Sequence, residues 1–148
     1  MQGIKRKLVY VTVFEVGGIG LSMVLVTLLG HDPALAGGVA VGASVIAMLW
    51  NLVWNTGFEF WEARQIVRGR SFKRRALHAL GFELGLTIML VPAIAWWLAI
   101  SWWEALLLDI GLTLVFVVYT FVFNLGFDRV FGLPASALPL KQEAGEAG

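Results

Sequence analysis

The sequence predicts an all-α integral membrane fold of four transmembrane helices, set out as two tandem hairpins in the same orientation. Three observations predict it. The 148 residues are 59% hydrophobic and only 14% charged, with a mean hydropathy of +0.81, a balance that soluble domains do not carry. Nearly uncharged stretches at about 8–29, 34–58, 76–100 and 104–127 are each long enough to cross ~30 Å of hydrocarbon at ~1.5 Å per residue. The second half of the chain also repeats the first.

The first span follows Lys5, Arg6 and Lys7, and with Ala34-Leu35-Ala36 beyond it could be taken for a secretory signal. Its apolar region exceeds the ~7–15 residues of a signal core and holds Glu15, so it reads as a membrane helix. The second span ends ahead of a basic segment, 64–75, that contains Arg64, Arg68, Arg70, Lys73, Arg74 and Arg75. The third and fourth spans are joined by a turn at 100–103 without Lys or Arg, as the first two are at 30–33. By the positive-inside rule both termini and the middle loop are cytoplasmic and the two short turns face outward. Trp96, Trp97, Trp102 and Trp103 flank the second outer turn as an interfacial belt. The basic segment is then a topology anchor, and no nucleic-acid partner is expected. After Gly132, two prolines and the ending KQEAGEAG read as a disordered tail. The units are therefore 1–66, a first hairpin, 67–132, a second, and 133–148, the tail.

With no cysteine, disulfides and thiolate chemistry are excluded. Neither a cofactor nor a metal is expected, and with no metal-ligand cluster and no Ser/His/Asp set an enzyme is the least favoured class. The GGIG at 17–20 lies within a membrane helix, not after a strand.

Sliding the chain by 68 residues lays Lys7, Tyr10, Phe14 and Glu15 over Arg75, His78, Phe82 and Glu83. A slide of 69 lays Trp50, Asn51, Trp54, Asn55, Phe58 and Glu59 over Tyr119, Thr120, Phe123, Asn124, Phe127 and Asp128. Both halves begin and end on the same side, so they should be related by an axis along the membrane normal. Spacing of i, i+4, i+8 makes Asn51, Asn55 and Glu59 a polar ladder beside the aromatic ladder Trp50, Trp54 and Phe58, and the fourth helix repeats both. The amides have two readings, helix-to-helix glue or substrate contact, and each ring alone reads as packing. Gly38-x-x-x-Gly42 and other glycines point to close helix approaches.

Glu15 lies about 10 Å inside the first span and Glu83 at a similar depth in the third. A carboxylate so placed costs about 2.5–3.5 kcal/mol on insertion scales and normally marks a substrate, ion or proton pathway. Glu15 and Glu83 are thus the candidate proton-coupling groups, the other reading of Glu15 being a permanently protonated acid bonded to another helix. His78 joins them because histidine changes charge nearest physiological pH, with a scaffolding role, a hydrogen bond to Glu83 included, as the other reading. Glu59 and Asp128 lie near the cytoplasmic ends, within reach of Arg64 and Arg129, where water or a salt bridge can satisfy them. Asp109 sits in the outer third of the fourth helix as an outer-gate candidate, with pairing to a hydroxyl or amide as the other reading. An acidic cavity walled by rings complements an organic cation through charge pairing and cation–π attraction. The candidate substrate contacts are Tyr10, Phe14, Glu15, Asn51, Trp54, Asn55, Phe58, Glu59, Phe82, Tyr119, Asn124 and Asp128. Proton and cation competing for Glu15 would make a cation/proton antiporter.

These paired motifs resemble the proteobacterial antimicrobial compound efflux family, four-helix inner-membrane proteins built from two tandem bacterial transmembrane pair domains. The resemblance covers roughly residues 5–129. Arg75, His78, Phe82 and Glu83 meet the family's Arg-x-x-His-x-x-x-Phe-Glu pattern in full, whereas in the first helix Lys7 and Tyr10 stand in place of Arg and His. Trp50, Asn51, Asn55, Phe58 and Glu59 look like its second-helix motif; Asp109-Ile-Gly-Leu-Thr-Leu, with Tyr119, Thr120, Phe121, Phe123 and Asp128, looks like its fourth. The resemblance implies proton-driven efflux of organic cations, biguanide or quaternary biocides (chlorhexidine-like) or short-chain diamines, across the bacterial inner membrane, with the Glu15 carboxylate central to coupling. Four helices enclose little volume, so a homodimer is expected. The rival class is a non-transporting membrane scaffold whose acids and amides only fix helix contacts; a channel ranks third.

Overall fold

The computed structural model describes residues 3–66 and 71–132, so the expected tail and the part of the basic segment at 67–70 lie outside the described residues. Four helices account for nearly all of it: α1 Gly3–Leu28, α2 Pro33–Ala63, α3 Phe72–Leu98 and α4 Trp102–Phe131. All four are long and apolar enough to cross a membrane. They begin or end about a turn beyond the predicted spans at the basic end. Charged residues stop a hydropathy run but not a helix, since Lys, Arg and Glu are good helix formers whose stems reach back to the interface.

The α1–α2 and α3–α4 turns are short because the next helix starts on a strong cap. Asp32 accepts from the Ala34 and Leu35 amides ahead of Pro33, and Ser101 forms a capping box with Glu104, satisfying amides that would otherwise be orphaned. Gly30 adopts a positive φ of 97° in the first turn, a conformation glycine takes without strain.

Consecutive helices pack antiparallel and α4 returns to α1, closing a ring; among the described residues the diagonal pairs have no close backbone approach. The chain's two described ends meet where the Arg6 guanidinium donates to the Gly132 carbonyl at 2.9 Å. The aliphatic core fills the half nearer the α1–α2 and α3–α4 turns: Val26, Ala36, Val39, Leu90, Val91, Ile94, Ala95, Leu98 and Ala105. Burial follows the repeat, with Ala36 and Ala105 each at 0% exposure, 69 residues apart. Trp97 pins α3 to α2 by donating to the Leu35 carbonyl at 3.1 Å, and its ring lies where a Cβ on Gly38 would stand. Gly42, the other half of the small-residue pattern, has nothing within 4 Å of such a Cβ. Trp96, Trp97, Trp102 and Trp103 are all exposed around the α3–α4 turn.

Candidate functional site

The repeated motifs meet one another, and they meet across hairpins. On the α2/α3 seam the Trp50 indole donates to the Phe82 carbonyl at 2.9 Å; on the α4/α1 seam the Tyr119 hydroxyl donates to the Phe14 carbonyl at 2.9 Å. One turn nearer the basic end, His78 Nε2 lies 2.8 Å from Asn55 Oδ1, and the Tyr10 hydroxyl donates to Asn124 Oδ1 at 2.6 Å. The Asn55 amide nitrogen is engaged by Asn51, so its oxygen is the acceptor and His78 Nε2 carries the proton. Phe58 presents an edge-to-face contact to His78 at 4.7 Å, and Phe127 does the same to Tyr10 at 5.1 Å. Trp50/Tyr119, Asn55/Asn124, Phe58/Phe127, His78/Tyr10 and Phe82/Phe14 are all repeat mates, so the two seams are copies.

Glycine makes the seams close. A Cβ on Gly85 would overlap the Trp50 ring, one on Gly81 the Trp54 ring, and one on Gly17 the Tyr119 hydroxyl. Gly17 and Gly85 are again mates. Trp54 completes its side by donating to the His78 carbonyl at 3.1 Å; its mate Phe123 has no such proton and packs edge-on against Tyr10 at 5.3 Å.

The acids are less symmetric than the rings. Glu15 is half-buried and receives a hydrogen bond from the Ser44 hydroxyl of α2. Among the described residues no Lys, Arg or His pairs with it. Glu83 is exposed, on the same side of α3 as Thr87, Leu90 and Ile94, of which the last two are buried. Asp109 is 5% exposed and accepts a 2.9 Å hydrogen bond from Thr87; it is sealed inside the α3/α4 contact. Asp128 pairs with Arg6 at 2.6 Å, not with Arg129, and Arg6 also stands 5.1 Å from the Phe127 ring centre. His78 bonds Asn55, not Glu83. Glu59 and Asn51 are exposed.

The structure thus gathers Tyr10, Phe14, Tyr119, Asn124 and Asp128 on one seam and Trp54, Asn55, Phe58, His78 and Phe82 on the other, with Glu15 beside the first. Sequence reasoning passed over Ser44, Thr87 and Arg6. Ser44 carried a faint signal, since its repeat mate Thr113 also holds a hydroxyl in an aliphatic stretch.

Residues 2–64 and 70–133 each match the family described as chlorhexidine efflux transporter, one repeat apiece. The chain is similar to proteins named short-chain diamines transporter. That of Acinetobacter baylyi is 32% identical over 127 residues, 85% of this chain and 89% of that protein. That of Acinetobacter baumannii is 36% identical over 129 residues, 85% and 88%, and that of Vibrio parahaemolyticus 36% over 99 residues, 67% and 68%. No solved structure matches the chain.

Proposed function

The chain belongs to the chlorhexidine efflux transporter family and is a multi-pass membrane transporter of small organic cations, not an enzyme; we propose that it exchanges such cations for protons at Glu15. The carrying observation is the state of that carboxylate. It lies within a span, and its described partner is a neutral hydroxyl rather than a cation. An ionised acid there needs a positive partner, which an organic cation supplies from one side of the membrane and a proton from the other. Protonation then expels the cation, and rocking of the two hairpins against each other exposes the site alternately. Glu83, the repeat mate of Glu15, and His78, the mate of Tyr10, serve as further proton carriers in the second hairpin. The substrates are chlorhexidine-like biocides or short-chain diamines, the membrane is the bacterial inner membrane with both termini inside, and the working unit is a homodimer.

The test is proton release from detergent-solubilised protein on adding chlorhexidine or a diamine, compared between the unaltered chain and Glu15→Gln. Release that disappears in the variant is the expected outcome. If neither protein releases protons while both stay folded, exchange at Glu15 is wrong. The scaffold reading accounts for His78–Asn55 and Tyr10–Asn124, which satisfy each other, and takes Glu15 as a permanently protonated acid bonded to Ser44 of α2; the proton-release comparison separates it from exchange.

A further inference from the structure

We propose that Ser44 sets the chemical selectivity of the Glu15 site, favouring cations that bear N–H groups over quaternary ammonium ions; this rests on Glu15 binding the cation. Ser44 is a half-buried residue of α2 whose hydroxyl donates to the Glu15 carboxylate across the α1/α2 contact. A hydroxyl has one proton and two lone pairs. Its proton is spent on Glu15, and its lone pairs stay available beside the carboxylate.

A primary ammonium entering this site places one N–H on Glu15 and a second on the Ser44 oxygen. Ser44 keeps its own proton on the acid throughout, so no proton need move. A quaternary ammonium has no N–H, gains nothing from the Ser44 oxygen and must be held by charge and ring faces alone. The Tyr119 hydroxyl donates to the Phe14 carbonyl at 2.9 Å and not to Glu15, which leaves Ser44 as the polar group bonded directly to the acid. Ser44 is a positioning and selectivity residue. Threonine is a workable replacement, because its repeat mate Thr113 occupies the same helical position in α4.

The experiment compares equilibrium binding of 1,5-diaminopentane with that of its bis-trimethylammonium analogue, equal in charge and chain length, to the whole protein in detergent at one pH. Ser44→Ala should weaken the diamine about tenfold, the loss of one hydrogen bond to a charged group, and leave the bis-quaternary ligand within about twofold. Ser44→Thr should restore the preference, which a merely structural role would not require. Equal weakening of both ligands, no change in either, or failure of threonine to rescue would overturn the inference while Glu15 remained the cation site. Binding of the diamine unaffected by Glu15→Gln, or no diamine binding by the unaltered chain, would overturn it together with the reading beneath it.

Discussion

The stripe of α1 that turns inward reads Glu15, Gly18, Ser22, Val26, and the matching stripe of α3 reads Glu83, Leu86, Leu90, Ile94. Ser22 and Leu90 are both buried, as are Val26 and Ile94. On the partner helices Ala40 and Asp109 are buried mates. The two hairpins therefore bury the same positions with different chemistry. The first has a small, partly polar stripe and one acid held by Ser44; the second has a bulky apolar stripe, an exposed acid at Glu83 and a second acid sealed by Thr87. Backbone packing tolerates only what fits, so it preserves the repeat. Charge placement is free to diverge wherever a partner exists, and under the proposed exchange the two hairpins are expected to play unequal roles.

Neutralising the two membrane acids one at a time tests that inequality most severely. Glu15→Gln should reduce proton-driven efflux about 100-fold or more, as removing one member of a charge pair costs roughly 2–5 kcal/mol. Glu83→Gln should reduce it less, in vesicles assayed with the same substrate. Equal losses would make the hairpins functionally equivalent.

Next in size is the Asp109–Thr87 pair, which the first hairpin replaces with Ala40 and Ile19. Thr87→Ile strands a buried carboxyl group and should lower stability by about 1–3 kcal/mol. Adding Asp109→Ala, which copies the first hairpin, should recover part of that loss. A denaturant titration in which the double variant is as unstable as the sum of both singles would refute the pairing.

The glycine faces should separate by what lies over them. Gly85→Ala meets the rigid Trp50 ring and should cost about 1–3 kcal/mol. Gly17→Ala, facing a hydroxyl that can swing, should cost less, and Gly20→Ala, with open space, should be neutral or gain up to about 1 kcal/mol. Indistinguishable melting temperatures would contradict the seam geometry.

Arg6→Gln removes the ion pair to Asp128 on the α4/α1 seam. Arg6 is 12% and Asp128 39% exposed, so the loss should be about 1 kcal/mol or less, and smaller in high salt. A loss independent of salt would mean that Arg6 acts by packing on Phe127 instead. Tyr10→His should have the smallest effect. It makes the two seams alike, with an imidazole bonding Asn124 as His78 bonds Asn55, and the unfolding midpoint should barely move. A large drop would show that the tyrosine was needed for its length.

Local pattern made much of this molecule readable in advance. Apolar runs set four spans, because crossing hydrocarbon demands length and lack of charge, and recurring aromatic and amide letters exposed two repeats. Glu15 stood out because a lone acid in a long uncharged run has few structural reasons to be there. Partner choice across helices was not readable, since periodicity fixes which residues share a face but not which neighbour that face meets. His78 was expected beside Glu83 on its own helix and instead bonds Asn55 of α2; Asp128 was expected near Arg129 and instead holds Arg6, more than 120 residues away.

The sequence by itself determined four membrane helices, their pairing into like hairpins and the acid on which the proposed exchange rests, all consequences of composition and spacing along one chain. Only the tertiary structure decided that each hairpin's motifs complete the other's seam, that Asp109 is enclosed while Glu83 is exposed, and that Ser44 reaches Glu15. Those facts depend on how the helices rotate and approach, which packing of glycines against rings and of alanines at the outer core settles only once all four helices stand together.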